Sequence, residues 1–234
     1  MDWSSEAFYI SRLKISELQE LLQFYLSDIY EHFGFTEYTA ASFENELSGL
    51  LREDMSFFDQ SVYYVIRHRI TTEIFGAIRT TYWDREAVLP IEKLFGIDLK
   101  MVLPEKDNLW HIGRFVISRR LPINRISFLK KILYNAFYPV FHFGSGLIIA
   151  ECDKKVILTL QKLEIPSNIL GASIEYICSE TFPIYIESND LSTFISVHTS
   201  RYFSEDNQQD LHIFDEIKKT QRNKGYRAIA QDAC

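Results

Sequence analysis

The chain has 234 residues, 47% of them hydrophobic, which is enough to bury a sizeable core. Its formal net charge of -7 argues against binding to nucleic acids or to anionic membranes, because both need collective positive charge. The three cysteines, Cys152, Cys178 and Cys234, form neither a CxxC pair nor an even set, so we expect no structural disulfide and no metal site.

The N-terminus and the lengths of the apolar runs bear on where the protein is located. The N-terminus has no basic head followed by an apolar run, and nowhere do about 18 apolar residues occur in succession. We therefore expect no integral membrane segment and a cytoplasmic location. The lack of a disulfide framework among the cysteines indicates a reducing compartment. We also expect one domain over residues 1–205 and a polar C-terminal tail over 206–234, because the end of the chain is rich in Asp, Gln, Lys and Arg.

The first part of the chain predicts one strand and two helices. Residues 7–13 have strand character, and Ser16 with Gln19 has the spacing of a capping box that opens a helix. That helix is predicted to end near His32, since its apolar residues recur every three or four positions. A second helix is predicted over 39–51.

The next part predicts a strand pair and a covering loop. Residues 61–83 form two strand-like runs joined by a turn near His68, which indicates an antiparallel pair. The long acidic stretch 84–108 contains a helix-like piece at 89–96. Loops of this length often cover substrate sites, so we expect a lid here.

The second half predicts a central strand followed by alternating helices and strands. In chain order these are a strand at 112–117, a helix at 126–137, a strand at 146–151, a helix capped by Asp153, a terminal strand pair within 172–187, and a strand or helix at 191–203. The order predicts an α/β (α+β) fold with a mixed sheet and helices on both faces. Neither GxGxxG nor GxxxxGK[ST] occurs, so nucleotide binding by a glycine-lined loop is not expected.

One stretch, 110–131, is basic in an otherwise acidic chain. It contains no Asp or Glu, and its positive residues are Arg114, Arg119, Arg120, Arg125, Lys130 and Lys131. A solvated helix face and a docking surface for an acidic partner are both compatible with this pattern.

Several spaced residues carry a resemblance to a known family. They are Asp59 with Ser61, Gly76, Arg79, Leu89-Pro90 with Glu92, Phe95-Gly96, Arg114-Phe115 and the late stretch LQKLEIPSNILGASIEY. In order and spacing they resemble, over residues 8–190, the branch of the GNAT acyltransferase superfamily that contains acyl-homoserine-lactone (autoinducer) synthases and N-acyl amino acid synthases. The resemblance implies a GNAT-like domain with a mostly antiparallel sheet.

The resemblance also implies an activity. In that branch an acyl chain passes from acyl-phosphopantetheine on acyl carrier protein, or from acyl-CoA, to the amino group of an amino acid or similar small amine. The amine attacks the thioester directly, so neither a bound cofactor nor a covalent enzyme intermediate is needed. Acyl carrier protein and a small amine are thus the expected partners, with no nucleic acid.

Residue roles follow from the same resemblance. It implies catalytic roles for His111, Arg114 and Asp59, with His111 at the position of the family's acidic base. It implies that substrate is bound by Arg79, Phe115, Phe33, Phe35, Trp83 and Glu92. From the residues alone, His111 could equally be an ordinary buried histidine and Phe115 ordinary core. A buried Arg114 would need a carboxylate, which Asp59 or Glu92 could supply.

The chain departs from the family at informative places. A histidine, with an ordinary pKa near 6.5, replaces the acidic base, and Ser56 replaces another acidic residue. The loop 119–125 has no glycine and includes Pro122, so it lacks the backbone N–H cradle that binds coenzyme A pyrophosphate in acetyltransferases. The missing cradle points away from acetyl-CoA as the donor. Because acyl carrier proteins are acidic, we expect carrier-protein docking on the basic residues Arg119, Arg120, Arg125, Lys130 and Lys131.

Two other functions fit the same features. One is an autoinducer synthase proper, which takes S-adenosylmethionine as acceptor. The other is a GNAT-like module without catalysis that binds a fatty acyl ligand or a partner protein. Cys152 has no activating histidine near it in sequence, which favours a buried structural thiol over a nucleophile.

Overall fold

The computed structural model describes the backbone of residues 5–33, 40–103, 108–122, 125–176 and 179–232, and their side chains except at Ser5, Phe33 and 222–232. The strands are β1 (Phe8–Arg12), β2 (Ser61–His68), β3 (Ile74–Tyr82), β4 (Asn108–Ile117), β5 (Gly146–Asp153), β6 (Asn168–Ile169), β7 (Ile174–Tyr176) and β8 (Ser179–Glu187). The α-helices are α1 (Leu18–Phe33), α2 (Ala40–Phe57), α3 (Pro90–Phe95), α4 (Leu99–Val102), α5 (Arg125–His142), α6 (Lys154–Lys162), α7 (Ser192–Tyr202) and α8 (Glu205–Asp232).

The strands form a mixed sheet in the order β1-β2-β3-β4-β5-β8-β6, and β7 also pairs with β8. The pair β4 and β5 is parallel, and the other pairs are antiparallel. A parallel pair needs a crossover, and α5 supplies it between β4 and β5. The predicted mixed, mostly antiparallel sheet is confirmed.

Apolar side chains on both faces of the sheet explain why helices cover both. Every residue of β2 and β3 is buried, as expected for strands enclosed on two sides. One face packs against α5, α6, α7 and α8, and the other packs against α1 and α2. The predicted lid region forms α3 and α4, and Leu89, Ile91 and Leu99 of this region are buried in a third apolar group.

Three helix boundaries differ from the sequence prediction, and one of them is the end of α5, which lies at His142 rather than at 137. The first helix is preceded by a 3-10 turn over Ile15–Glu17, where Glu17 accepts a hydrogen bond from the backbone N–H of Lys14 at 2.8 Å, so the capping pair is not Ser16 with Gln19. Helix α2 continues to Phe57, six residues beyond the predicted end at 51. Its polar last turns, which include Glu53 and Asp54, carry no apolar repeat that would predict a helix.

The C-terminal region is helical where the sequence predicts a polar tail. Helix α8 begins at Glu205, and its Asn207, Asp210 and Phe214 are buried against the domain. The first turns of α8 are therefore anchored, although the domain boundary at 205 stays a prediction. Of the two possibilities for 191–203, the structure has the helix α7.

Strand β4 carries a bulge that shapes the centre of the sheet. Ala77 pairs with Val116 and Arg79 pairs with Gly113, so two residues of β4 lie opposite one residue of β3. The first of them, Arg114, has a positive φ of 54°. A bulge at this place bends the strand away from its neighbour.

The strands β4 and β5 separate near the bulge. Their pairing ends at Ile112 with Ala150, although the strands themselves continue to Ile117 and Asp153. The two unpaired edges enclose a gap that opens toward the carboxyl ends of both strands. We call it the β4–β5 gap.

None of the helices in the described ranges combines the length and apolar composition needed to span a bilayer.

Candidate active site

The β4–β5 gap leads into a cavity of about 470 Å³ that reaches both faces of the sheet. Toward α5 and α6 its walls are apolar and include Leu133, Phe137, Ile148, Val156, Leu160, Ile184 and Ile186. Toward α1 and α2 its lining is polar and includes Tyr25, Glu53, Arg79, His111, Arg114 and Glu151. The gap thus joins an apolar chamber to a cluster of charged side chains.

The bulge brings Arg114 to the polar side. Side chains of a strand alternate between faces, and Trp110 and Ile112 belong to the core beneath α5. Without the extra residue, Arg114 would follow them to that face. The bulge shifts the alternation, and Arg114 instead lies on the same side as His111.

Asp54, at the end of α2, is the centre of the polar cluster. Its Oδ1 accepts from Arg79 Nη1 at 2.9 Å and from the Tyr63 hydroxyl at 2.7 Å. Its Oδ2 accepts from Arg114 Nε at 2.8 Å and Nη2 at 2.6 Å. Arg114 Nη2 also donates to Glu53. The carboxylate therefore clamps the two arginines of β3 and β4 together.

Charge decides the state of Asp54. Burial by itself raises the pKa of this carboxyl, but the charges of Arg114 and Arg79 and the hydrogen bonds from Arg114 and Tyr63 lower the pKa below its ordinary value. Burial likewise opposes the charged form of Arg114, yet Asp54, Tyr25 and Glu53 raise its pKa well above the ordinary value. Both groups are ionised at neutral pH.

His111 lies between Arg79 and Glu151. Its Nδ1 is 3.2 Å from Arg79 Nη2, and its Nε2 is 3.1 Å from both carboxylate oxygens of Glu151. Gly113 leaves the room for this contact, because a Cβ there would lie 3.1 Å from His111 Cε1 and 3.2 Å from Arg79 Nη2. A continuous hydrogen-bonded network thus runs from Glu151 through His111 and Arg79 to Asp54.

Burial also affects other groups that line the cavity. It raises the pKa of the Tyr25 and Tyr176 hydroxyls, against an opposing effect of the Arg114 charge. It raises the pKa of the Cys152 thiol as well, with further contributions from Glu151 and Asp153. The Cys152 thiol is therefore protonated at neutral pH, which argues against it as a nucleophile.

The predicted site residues fall into two groups. His111, Arg114, Arg79 and Phe115 line the cavity together. Asp59 does not join them: it lies in a 3-10 turn and lines a separate depression with Gln60 and residues of α8. The carboxylate partners of Arg114 are Asp54 and Glu53, not the predicted Asp59 or Glu92, because the longer α2 brings its last turns over β3 and β4.

Other predicted binding residues lie elsewhere. Trp83 is buried beside α3 and α4, and its Nε1 donates to the Ala87 carbonyl at 2.7 Å. Glu92 caps α3 by accepting from the backbone N–H groups of Leu89 at 2.8 Å and Leu99 at 3.2 Å. Phe33 ends α1, but its side chain, like the whole of Phe35, lies outside the described residues.

The predicted docking residues differ in their burial and in the partners of their side chains. Arg119 and Arg120 form the turn after β4, where Arg119 Nη2 lies 3.2 Å from His32 Nε2 and Arg120 Nη1 pairs with Glu73 at 2.9 Å. Arg125 donates weakly, at 3.4 Å, to the Ile117 carbonyl. Lys130 and Lys131 are half-buried on α5, and burial followed by the charge of Arg69 lowers the pKa of Lys131.

Several cavity residues escape the sequence prediction. They are Tyr25, Glu53, Glu151 and Tyr176, and the buried Asp54 beside the cavity was not predicted either. A signal exists for Glu151, because it is a charged residue at the end of the apolar run GLIIA. Asp54 gives no such signal in the polar run Arg52-Glu53-Asp54.

In the part of the chain that the structure describes, no group of three or more His, Cys, Asp or Glu residues is placed to hold a metal ion.

Comparisons with known proteins show the fold. No protein-family model matches the chain, and no curated protein matches it in sequence. Among solved structures it is similar to TofI in a ternary complex with an inhibitor and MTA, with 15% identity, coverage of 80% of this chain and 95% of TofI, and a TM-score of 0.55.

Two further structures have the same architecture. The CoA-dependent acyl-homoserine lactone synthase BjaI, solved with MTA, is 12% identical over 83% of this chain and 89% of BjaI, with a TM-score of 0.55. FeeM, an N-acyl amino acid synthase from uncultured soil microbes, is 13% identical over 77% of this chain and 89% of FeeM, with a TM-score of 0.50. The predicted GNAT-like fold is confirmed.

Proposed function

We propose that this protein is an N-acyltransferase that moves a long-chain acyl group from a thioester, on acyl carrier protein or coenzyme A, to the amino group of an amino acid or similar small amine. The observation that carries the proposal is the β4–β5 gap, which joins an apolar chamber to a polar network. An acyl-transfer enzyme needs an apolar site for the acyl chain next to polar groups for the amine. The likeness in fold to BjaI and FeeM supports the same activity.

The apolar chamber is the proposed site of the acyl chain. Its walls come from α5, α6 and β8, which bury a ligand's methylene groups away from water. The volume of about 470 Å³ lies within the range of roughly 300–1,000 Å³ that is common for ligand sites. Phe115 lines the same cavity and also packs against the core, so we assign it both to acyl-chain binding and to the core.

The thioester is proposed to lie in the gap itself. The facing edges of β4 beyond Ile112 and of β5 beyond Ala150 have backbone N–H and C=O groups that do not pair with each other. Backbone donors of this kind hold the oxyanion of a tetrahedral intermediate in acyl transfer. The acyl group then passes directly to the amine, because the protonated Cys152 thiol provides no covalent route.

The amine is proposed to enter from the polar side. The network there contains three carboxylates, Glu53, Asp54 and Glu151, and two guanidinium groups, Arg79 and Arg114. The excess of negative charge favours an ammonium group. His111 and Glu151 are the two groups of this network that are candidates for accepting the amine's proton.

A basic surface flanks the open end of the gap. Arg119 follows the end of β4, and Lys154 with Lys155 follows the end of β5. Arg119 and Lys155 are close enough to His32 that, after burial, their charges lower the pKa of that histidine. Acyl carrier proteins are acidic, so we assign carrier docking to this surface. Arg120 contributes less to it, because its charge is paired with Glu73.

The activity is tested with saturated acyl thioesters of acyl carrier protein and of coenzyme A, a panel of amino acids and amines, and detection of the released thiol. We expect an N-acyl product by mass spectrometry with at least one acceptor. S-adenosylmethionine belongs in the panel, since a lactone product would identify an autoinducer synthase instead. No thiol release with any pair, together with a fatty acid in a lipid extract of the purified protein, would establish the non-catalytic binder.

Carrier docking is tested by charge reversal at Arg119 and Lys155. We expect Arg119→Glu with Lys155→Glu to raise the apparent KM for the acyl carrier protein thioester by roughly tenfold at low salt, and less at high salt because salt screens the attraction. Lys100→Glu, at an exposed lysine of α4, is the matched control and should leave KM unchanged. An unaltered KM in the double variant would remove the docking assignment.

A further inference from the structure

The hydrogen bonds around His111 determine which of its nitrogens carries a proton. A guanidinium group has donors and no acceptor, so Arg79 Nη2 must donate in its 3.2 Å contact with His111 Nδ1. Nδ1 therefore uses its lone pair for this bond and has no hydrogen. Arg79 is itself held by Asp54, which accepts from Nη1 at 2.9 Å, so the donor has a fixed position.

The other nitrogen faces a carboxylate. Burial by itself raises the pKa of Glu151. The charge that His111 carries when it is protonated, the hydrogen bond from His111, the backbone N–H of Glu151 and the charge of Arg79 lower the pKa below the ordinary value. An ionised carboxylate only accepts, so His111 Nε2 carries the proton and donates to both oxygens at 3.1 Å. His111 is thus the neutral Nε2–H tautomer, and neither nitrogen has a free lone pair.

Unlike His111, Glu151 is partly exposed and has oxygen lone pairs that can accept a further proton. Its side chain is 16% exposed while that of His111 is 1% exposed, and it lines the cavity just beyond Ala150, where β4 and β5 separate. Each carboxylate oxygen keeps a lone pair beyond the one directed at Nε2. We propose that Glu151 accepts the proton of the attacking amine, and that His111 is a positioning residue that holds Glu151 at the gap.

The step rests on the proposed function and balances as follows. The bound ammonium first releases a proton to water, and the resulting neutral amine nitrogen forms a bond to the thioester carbon, whose carbonyl π electrons move to oxygen. The positively charged nitrogen of the tetrahedral intermediate is far more acidic than a free ammonium, so its proton passes to the Glu151 carboxylate. The carbonyl re-forms, the C–S bond breaks, and the thiolate takes the proton from Glu151, which leaves an amide, a free thiol and an ionised Glu151.

The tautomer is tested without any substrate. Histidine-labelled ¹⁵N protein gives two-bond ¹H–¹⁵N correlations that distinguish a protonated Nε2 from a protonated Nδ1. We expect the Nε2–H form for His111 at neutral pH, assigned by its absence in His111→Gln. A protonated Nδ1 would overturn the proposal whether or not the protein transfers acyl groups.

The proton acceptor is tested by isosteric variants in the thiol-release assay, with the acceptor amine that the wild-type protein uses. Glu151→Gln should lower kcat on the order of 100- to 10,000-fold. His111→Ala should also lose most turnover, because nothing then holds the carboxylate. His111→Gln should recover activity to within roughly tenfold of wild type, since a glutamine can accept from Arg79 and donate to Glu151.

The outcomes separate this inference from the proposed function. Glu205→Gln, at an exposed glutamate on the first turn of α8, controls for the change of charge, and thermal melting shows that each variant is folded. Full activity of Glu151→Gln, or loss in His111→Gln equal to that in His111→Ala, would overturn the assignment while acyl transfer stands. Absence of transfer in the wild type would overturn the function, and the tautomer measurement would still test the geometry.

Discussion

Asp54 and Asp210 are both fully buried aspartates that accept from a tyrosine and an arginine, yet their pKa values shift in opposite directions. At Asp54, two arginines and the Tyr63 hydroxyl outweigh burial and lower the pKa. The arginines are themselves buried, Arg79 being 1% exposed, so little solvent screens the attraction.

Asp210, on α8, has weaker support. It accepts from the Tyr64 hydroxyl at 3.0 Å and pairs with Arg12 at 3.3 Å, but Arg12 is 30% exposed. Burial therefore prevails, and with the nearby charge of Asp206 it raises the pKa of Asp210 to about 6.

The difference shows that burial alone does not determine the state of a carboxyl group. Asp54 is kept ionised and clamps the arginines beside the cavity, whereas Asp210 mainly anchors α8 to the sheet through hydrogen bonds. The number of cations and their shielding from solvent separate the two roles.

The largest expected effect comes from making the same substitution at both aspartates. Asp54→Asn leaves Arg79 and Arg114 buried without their shared carboxylate, so we expect the free energy of unfolding to fall by about 3–5 kcal/mol. Asp210→Asn should change it by less than about 1 kcal/mol at pH 7.5, because an ionised Asp210 is already costly to bury. Urea denaturation of both variants measures this, and equal losses would contradict the contrast.

A middle-sized effect is expected in the dependence of stability on pH. Because folding raises the pKa of Asp210 from 3.8 to about 6, its protonation contributes stability that is fully present below pH 3.8 and is lost as pH rises through about 6. The contribution is on the order of 1–3 kcal/mol.

Asp210→Asn isolates this contribution from the other carboxyl groups. Denaturation of wild type and variant at pH 4.5 and pH 7.5 should show that the variant loses this part of the pH dependence. For Asp54 the sign is reversed, since a lowered pKa gives stability that is present above its ordinary 3.8 and lost at lower pH. An unchanged difference between the two pH values in Asp210→Asn would refute the assignment.

The smallest effect concerns two glycines near the Asp54 network. Gly113→Ala would crowd the contact of His111 with Arg79, so we expect the free energy of unfolding to fall by about 1 kcal/mol. Thermal melting measures this change. Gly49→Ala is the matched control. Apart from its chain neighbours and the backbone of its own helix, no atom lies within 4 Å of the added Cβ, and alanine in the interior of α2 should stabilise by about 0.5–1 kcal/mol. The two alanines should therefore act in opposite directions, and stabilisation by both would show that the network tolerates the added methyl group.

Elements defined by local patterns were predictable from the sequence. The β2 and β3 pair with its turn, the start of the long helix α5, and the start of α6, where Asp153 accepts from the Val156 N–H at 2.7 Å, all follow their predictions. Each depends on residues close together in the chain, through alternation, helical spacing or a capping bond. The end of α2 was missed because its last turns are held by buried ion pairs rather than by an apolar stripe.

Sequence by itself determined the order of elements and the helices on both faces of the sheet. The family resemblance implied the GNAT-like fold and site roles for Asp59, Arg79, Arg114 and His111, of which the last three lie in one network. Only the tertiary structure decided that Asp54 and not Asp59 holds the arginines, that a bulge turns Arg114 to their side, and that Glu151 lies beside His111. The reason is that strand register and the point where two strands separate depend on pairings between residues far apart in the chain, which no local pattern encodes.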